Sequence, residues 1–420
     1  MSGLMRGISA AVLAGTAVAA TVAPATAAPA PAPVTERITF SSTGEQLDDG
    51  AGIGALSADG RYVAFTSSEN GIVPGDTDGQ NDVFVRDTQT GTVEQVNVAS
   101  DGTQADDATA WGVRISANGR FVAFMSWARN LAPYPQPPVV AGDVFVHDRT
   151  TGRTERVSVA PDGGTVWAST PFDISADGRH VAFVGSSKRM EGTAKNEDFA
   201  YVVDRRTGAV KRINDALPPE WHVDSVTLSA DGSHLAYTAR HPRGGRHELW
   251  LADLATGERR LVNATPEGEP TNGGPGGVRL SGDGSLVAYI SFDEETVPEA
   301  PDYTWEQYLY DSRTGETQWI THEGRGGVGA GLLSRDGRLF AYSADDEEDP
   351  NVSNVYVRNL RTGRTQLVSR TLGGGPQTEG YAAPAAFADN ARVLGFSSSA
   401  PDLVTGDTNA VGDGFVRRLR

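Results

Sequence analysis

A phrase of nine residues recurs along this chain and limits its fold more than any other feature. The first copy is Ser57 to Phe65, Ser-Ala-Asp-Gly-Arg-Tyr-Val-Ala-Phe. Further copies begin at Ser116, Ser175, Ser229, Ser281 and Ser334, and a degenerate seventh runs from Phe387 to Phe396. Successive copies lie roughly 52 to 59 residues apart, a period typical of propeller blades. The pattern predicts one ring of stacked units.

Each unit contains the signals of four short strands, labelled a to d. The Asp-Gly or Asn-Gly step within the phrase predicts a tight hairpin between strands a and b. A second phrase follows, such as Asp82 to Asp87 (Asp-Val-Phe-Val-Arg-Asp), and a Thr-Gly turn then leads to the last strand. Strands b and c are apolar on both alternating faces, as a sheet covered on both sides requires. The 50 glycines and 23 prolines also favour a turn-rich β protein.

The two ends of the repeat array complement each other. The chain ends in a c-type strand, Asp413 to Arg417, while an unpaired d-type strand at Thr35 to Phe40 resembles Thr154 to Val159. We therefore expect the N-terminal strand to join the last blade and close the ring. The prediction is an all-β, seven-bladed propeller of four-stranded antiparallel blades over residues 35–420.

The first 34 residues predict export. Residues 1–28 have the charge, apolar stretch and Ala-x-Ala pattern of a signal peptide, and residues 29–34 form a Pro/Ala-rich tail. The expected product is secreted, without membrane insertion. It is also expected to be a monomer, since a closed ring leaves no free sheet edge. A net charge of −18 argues against nucleic acid as partner, and the lack of cysteine excludes disulfides and thiolate metal sites.

The two repeated phrases resemble the WD40-like repeats of TolB-type bacterial propellers. The resemblance covers residues 35–420, nearly the whole chain after the signal segment. A TolB propeller has six blades and a separate N-terminal domain, and this sequence differs on both counts. The resemblance therefore implies the fold and leaves the function open, because propellers host binding, scaffolding and catalysis.

Aromatic residues interrupt the repeat where the long connections emerge. The b–c and d–a connections are long and dissimilar and should share one face, which is expected to carry the function. Five aromatic residues in or beside these connections are candidate binding residues: Trp111, Trp127, Trp167, Trp221 and Tyr381. They could stack on sugar rings or hold a peptide, and the alternative is that they fill gaps between blades.

Two similar acidic loops are candidate calcium sites. The first is Gly75 to Asp82 in blade one, and the second is Gly406 to Asp413 in blade seven. Carboxylate and amide oxygens suit a hard cation, although neither loop is an EF-hand. The candidate ligands are Asp76, Asp78, Asp82, Asp407, Asn409 and Asp413. The alternative is that these residues form turns in solvated loops.

Histidines provide the only signal for catalysis. His222, His241, His247 and His322 fall in the long connections, and Asp224 or Glu248 could complete an acid–base or metal site with them. Standard hydrolase and nucleotide motifs are absent from the sequence. The sequence therefore favours a secreted, non-enzymatic protein that binds an extracellular protein, peptide or cell-wall glycan, with no required cofactor. The alternative is a polysaccharide lyase or glycosidase acting at the mouth of the channel.

Overall fold

The computed structural model describes most of the region that carries the repeat. The described residues are 34–133, 142–164, 166–186, 198–215, 217–218, 221–241, 244, 247–271, 273–292, 297, 305–322, 328–329, 331–346, 349–409 and 411–419. The predicted signal peptide and most of the tail lie outside them. None of the described residues belongs to a helix long and apolar enough to cross a membrane.

Twenty-eight strands follow one another in the described residues. The first sixteen after β1 (Thr35–Arg37) are β2 (Gly52–Leu56), β3 (Tyr62–Ser67), β4 (Asp82–Asp87), β5 (Val93–Gln95), β6 (Thr109–Ile115), β7 (Phe121–Ser126), β8 (Asp143–Asp148), β9 (Arg153–Arg156), β10 (Trp167–Ile174), β11 (His180–Ser186), β12 (Asp198–Asp204), β13 (Ala209–Arg212), β14 (His222–Leu228), β15 (His234–Arg240), β16 (His247–Asp253) and β17 (Arg259–Leu261). The remaining strands are β18 (Gly276–Leu280), β19 (Leu286–Ser291), β20 (Glu306–Asp311), β21 (Glu316–Ile320), β22 (Leu332–Leu333), β23 (Leu339–Asp345), β24 (Ser353–Asn359), β25 (Thr365–Leu367), β26 (Ala382–Phe387), β27 (Val393–Ser398) and β28 (Asp413–Arg418).

These strands form seven antiparallel sheets of four. Blades one to six take consecutive strands from β2 to β25, and blade seven is β26, β27 and β28 with β1 at its outer edge. Thr35 of β1 lies opposite Arg417 of β28, and Arg37 lies opposite Phe415. The seven-bladed propeller closed by its N-terminal strand is therefore confirmed.

The repeated phrase forms the a–b hairpin through its polar residues. In blade one, the Ser57 hydroxyl donates a hydrogen bond of 2.7 Å to Asp59 and accepts one of 2.9 Å from the Tyr62 amide. Gly60 has a φ of 74°, a backbone conformation that favours glycine. Asp177, Asp231, Asp283 and Asp336 repeat the bond to the serine two residues earlier. These aspartates are turn formers, as the sequence predicts.

The arginine of the phrase ties this hairpin to strand c. Arg61 makes two hydrogen bonds to Asp87, of 3.0 and 2.6 Å, and the guanidinium holds the pKa of Asp87 well below its usual range. Arg120 with Asp148 and Arg179 with Asp204 repeat this geometry in blades two and three. The spacing of the two phrases thus places one bidentate pair in each of blades one, two and three.

The core lies between neighbouring blades. One cluster joins Val144 and Val146 of β8 to Phe172 of β10 and Phe183 of β11, all almost fully buried. Within blades, rings on strands b and c stack, as Phe65 does on Phe84 at a centroid distance of 5.4 Å. A single blade could not bury both of its faces, so closure of the ring stabilises every unit.

Strand a approaches the axis and joins successive blades at its end. In the turn that follows strand a, the Ala58 amide donates to the Ala117 carbonyl at 2.7 Å, and Ala117 donates to Ala176 at 2.8 Å. Ala176 continues this belt to Ala230. The face with these a–b hairpins is called the short-turn face below, and the opposite face the long-loop face.

Candidate functional site

The aromatic residues predicted from the sequence do not share one environment. Trp221 is only 9% exposed, belongs to the core between blades three and four, and meets His241 edge-on at 5.8 Å. Trp127 and Tyr381 are 38% and 59% exposed. Trp167 is half-buried as the first residue of β10, and Trp111 lies in β6 with its side chain outside the described set. Trp221 therefore packs between blades and is not available for stacking on a ligand.

An exposed aromatic pair on blade five was missed by the sequence reasoning. Phe292 and Trp305 are 41% and 54% exposed and meet edge-to-face with centroids 5.1 Å apart. They lie at the two ends of the b–c connection, immediately after β19 and before β20. The sequence signal for this pair is its position at the ends of a long connection, where large apolar side chains are not part of a strand.

A histidine and a carboxylate from different blades meet on the long-loop face. His222 begins β14 in blade four, and its Nδ1 lies 3.4 Å from Oδ2 of Asp198, the first residue of β12 in blade three. The side chain of His222 is 17% exposed and that of Asp198 is 31% exposed. Strands a and c both begin at the long-loop face, so this pair lies there between blades three and four.

An arginine and a second carboxylate adjoin this pair. Arg240 lies opposite His222 in the β14–β15 register, and its Nε donates to Oδ1 of Asp224 at 2.7 Å. Hydrogen bonding to Asp224, with a further contribution from the Asp198 charge, raises the pKa of the Arg240 guanidinium. We call Asp198, His222, Asp224 and Arg240 the rim cluster. Its members lie on three strands of two blades, so no local motif can reveal it.

The other histidines have different settings. His247 lies opposite Arg240 on β16 and so borders the rim cluster. His322 lies in the connection from blade five to blade six, where its Nδ1 is 2.9 Å from the Tyr342 hydroxyl and its ring centroid is 4.3 Å from that of Tyr356. Glu248 is buried and accepts a hydrogen bond of 3.0 Å from the Trp250 indole. The predicted group of four histidines with Glu248 is thus divided between separate environments.

The acidic loop of blade one brings three carboxylates together. One oxygen from each of Asp76, Asp78 and Asp82 lies within 4.8 Å of the others, with Asp76 and Asp82 buried and Asp78 exposed. Burial raises the pKa of Asp82 to about 6, against hydrogen bonds from Asn97 and Gln104, and the Asp78 and Asp76 charges add to the rise. Like charges at this separation favour proton or cation uptake. The donor set suits a hard divalent ion.

The corresponding loop of blade seven already contains a cation. The Arg37 guanidinium lies 3.3 Å from Asp407 and 3.3 Å from Asp413, and all three side chains are buried. Asn409 donates to Asp413 and to the Leu47 carbonyl, at 3.3 and 2.7 Å. The strand register puts Arg37 opposite Phe415, as Gln95 lies opposite Phe84 in blade one. Blade one thus carries a neutral side chain where blade seven has an arginine, and the two predicted loops do not form one shared site.

Comparisons with known proteins give the fold and no family. No family model and no curated protein matches the chain. An oligogalacturonate lyase in complex with manganese has a TM-score of 0.60 at 15% identity, with 92% of this chain and 93% of that chain covered. The oligogalacturonate lyase from Vibrio parahaemolyticus has a TM-score of 0.57 at 16% identity, with 92% of this chain and 93% of that chain covered. The β-propeller domain of the Trilobed protease from Pyrococcus furiosus has a TM-score of 0.55 at 12% identity, with 84% of this chain and 92% of that chain covered.

TolB structures also match, with looser superposition. TolB from Acinetobacter baumannii gives a TM-score of 0.37 at 19% identity, covering 64% of this chain and 57% of that chain. The resemblance of the repeat to TolB-type propellers and membership in a WD40-like repeat family therefore stay predictions.

These comparisons contradict the preference for a non-enzymatic binding protein. Solved structures that share this fold include those of two lyases and of a protease domain, so the fold gives no ground for preferring a non-enzymatic protein. The sequence argument relied on missing local motifs. In a propeller, residues from separate blades can meet on one face. The absence of local catalytic motifs therefore carries no weight against catalysis.

Proposed function

We propose that this protein is a propeller enzyme that cleaves uronate-containing glycans by β-elimination at the mouth of its channel. The observation that carries the proposal is the rim cluster, in which His222 faces Asp198 at 3.4 Å while Arg240 lies on the adjacent strand. Two structures with the same fold are oligogalacturonate lyases, which supports this reaction class over hydrolysis.

The rim cluster contains the groups that such an elimination needs. Oδ2 of Asp198 lies 3.4 Å from Nδ1 of His222, a charge contact without a hydrogen bond, and Nε2 is the nitrogen that would accept the proton from the carbon next to the uronate carboxylate. Arg240 uses Nε for Asp224, so its two terminal nitrogens remain to bind that carboxylate and stabilise the carbanion-like transition state. The electron pair then forms the carbon–carbon double bond as the glycosidic oxygen leaves from the neighbouring carbon and takes up a proton from water.

The negative net charge does not oppose an anionic substrate at this position. Salt screens charges beyond about 8 Å at physiological ionic strength, so the local cation decides the encounter. Arg240 supplies that cation at the rim, with 45% of its side chain exposed. The Phe292–Trp305 pair on the neighbouring blade offers an apolar surface on which sugar rings could stack.

The test is an activity screen on polyuronates and neutral glycans. Ultraviolet absorbance reports the unsaturated product of a lyase, and a reducing-end assay reports cleavage of either kind. Wild type should produce both signals on a uronate substrate, and His222→Gln should lower kcat/KM at least ~100-fold with an unchanged melting temperature. Reducing ends without ultraviolet absorbance would establish a glycosidase, and no turnover on the panel would overturn the proposal.

A matched histidine variant separates catalysis from general damage. His322→Gln changes a histidine in the connection from blade five to blade six that contacts Tyr342 and Tyr356, outside the rim cluster. Its kcat/KM should stay within about twofold of wild type. Arg240→Gln should raise KM and lower kcat, because the guanidinium acts on both the bound and the reacting carboxylate.

We infer that the three carboxylates of blade one hold a calcium ion that stabilises the fold. Asp76, Asp78 and Asp82 supply the hard oxygen ligands, and the arginine in the corresponding place of blade seven supports a need for positive charge there. This ion would neutralise the loop and has no part in the elimination. Chelator and millimolar calcium should give different melting temperatures, and identical values would remove the ion from the account.

We also propose that the enzyme acts outside the cell as a monomer. The support is the predicted signal peptide of residues 1–28 and the closed ring, in which the outer edge of every blade is a short d strand. Detection of the processed chain in culture medium, and one molar mass by light scattering, would test both points.

A further inference from the structure

A belt of residues lies around the axis well below the rim cluster, at the strand-a position two residues before the serine of the repeated phrase. The belt residue is charged in blades two, three and five, as Arg114, Asp173 and Arg279. Nε of Arg114 in blade two lies 3.5 Å from Oδ1 of Asp173 in blade three. Oδ2 of Asp173 accepts hydrogen bonds of 3.1 Å from the Thr227 hydroxyl and the Leu228 amide in blade four. The belt therefore passes from blade to blade around the channel.

A second pair lies at the short-turn end of the channel. The position after the serine carries alanine in four blades, but Arg335 in blade six and Asp389 in blade seven form an ion pair there. A Cβ at Gly282 of blade five would collide with the Arg335 side chain, which shows that this arginine extends over the neighbouring blade. Asp389 and Arg335 thus satisfy each other's charge.

Arg279 of blade five completes the belt without a carboxylate of its own. Its one hydrogen bond within the described residues runs from Nη1 to the carbonyl of Val278, at 2.9 Å. No described carboxylate lies within ion-pair distance of it. Burial, followed by repulsion from Arg114, lowers the pKa of Arg279 to about 10 although Asp173 opposes this. Arg114 and Arg279 occupy the equivalent strand-a position of blades two and five, which are not neighbours in the ring.

Arg279 is the arginine of this region without a described carboxylate partner. Asp173 and Asp389 pair with Arg114 and Arg335. Asp173 has no free oxygen for Arg279, because Oδ1 serves Arg114 and the Ile174 amide while Oδ2 serves blade four. A partly buried guanidinium without a carboxylate partner is suited to bind an anion.

We propose that the axial channel binds a small oxyanion between Arg279 and Arg114. Phosphate, sulfate or a carboxylate fits, since each presents oxygens to the forked donors of a guanidinium. Thr227 and Arg279 precede Ser229 and Ser281 at equivalent positions, and His222 begins the same strand as Thr227. At ~3.4 Å per residue the anion lies roughly 15 Å below the rim cluster. This site is independent of the proposed lyase reaction.

The experiment measures binding of phosphate, sulfate and acetate to the full mature chain. Calorimetric titration and melting curves are recorded against sodium chloride of matched ionic strength. Wild type should show saturable heat and a concentration-dependent rise in melting temperature with at least one oxyanion. The anion that saturates identifies the ligand class. Arg279→Gln should weaken binding at least tenfold, while Arg279→Lys should retain part of it.

A surface arginine provides the control. Arg313→Gln removes a guanidinium that is 65% exposed and paired with Asp311, and it should bind the anion as wild type does. Equal loss of binding in Arg279→Gln and Arg313→Gln would overturn the proposal, as would equal effects of chloride and the oxyanions. If Arg279→Gln does not fold, the wild-type titration alone decides, and the absence of saturable heat refutes the site. None of these readouts depends on lyase activity.

Discussion

At the scale of single residues, the charge of a side chain matters through what surrounds it. Asp59 lies in the turn before β3 and Asp82 begins β4, yet the two carboxylates differ in role. Asp59 accepts the Ser57 hydroxyl in a hairpin, and its pKa is lowered by that bond and by the Arg61 amide, against the effect of burial. Asp82 is buried beside two other carboxylates, and its pKa rises to about 6. Their different surroundings lead to the first prediction.

In metal-free protein, Asp82→Asn should stabilise the fold above about pH 6. The folded-state pKa of Asp82 lies above the unfolded value of 3.8, so wild type loses stability as pH rises through this window. The difference between the variants should grow to ~3 kcal/mol at most and vanish near pH 4. Urea unfolding at several pH values measures it. Calcium should reverse the order at neutral pH, and a pH-independent difference would contradict the assignment.

Trp221→Ala should be strongly destabilising and Trp127→Ala nearly neutral. Trp221 is 9% exposed in the core between blades three and four, so its loss leaves a cavity that costs about 3–5 kcal/mol. Trp127 is 38% exposed, and its removal should change the free energy of unfolding by about 0.5 kcal/mol or less. Equal effects in urea unfolding would show that both rings have the same environment.

At the scale of elements, β1 is the strand on which closure depends. It pairs with β28 over Thr35 to Arg37, and Ile38 donates a further backbone bond of 2.7 Å to Gly414. Thr39 adds a side-chain bond of 2.7 Å to Asp413. A strand of three residues has little stability alone, so the buried Arg37 pairs stabilise its position.

Arg37→Ala should destabilise the closure by about 3–5 kcal/mol. The substitution leaves the buried carboxylates of Asp407 and Asp413 without their cation. Adding Asp413→Asn should recover part of the loss, because it removes one uncompensated charge. Arg153→Ala, with a side chain 70% exposed, is the matched control and should be nearly neutral. Hydrogen exchange of the β28 amides would report the opening directly, and unchanged protection in Arg37→Ala would count against this role.

At the scale of the whole molecule, the same bidentate pair recurs in three consecutive blades. Arginine guanidinium groups hold the pKa values of Asp87, Asp148 and Asp204 well below their usual range. Each carboxylate therefore contributes stability that is present above about pH 4 and lost as pH falls through the folded-state pKa. Because every blade packs on its neighbours, loss in three blades should affect the whole ring.

The triple variant Asp87→Asn, Asp148→Asn and Asp204→Asn should lower the melting temperature at neutral pH. It should also flatten the loss of stability between about pH 4 and pH 2, since the titrating groups are absent. Circular dichroism melts across this range provide the measurement. A triple variant as acid-sensitive as wild type would show that other groups control acid unfolding.

The sequence by itself determined the repeat, the number of blades and the closing strand. These follow from local chemistry: turn residues at fixed spacing, apolar b and c strands and an unpaired d strand at Thr35. The tertiary structure decided which side chains meet between blades. Asp198 with His222, and Arg114 with Asp173, come from different blades. Likewise, Arg37 pairs with the acidic loop of blade seven, whereas in the similar loop of blade one three carboxylates lie close together. Sequence periodicity records which residues share a strand, whereas contacts across a ring depend on how the blades close.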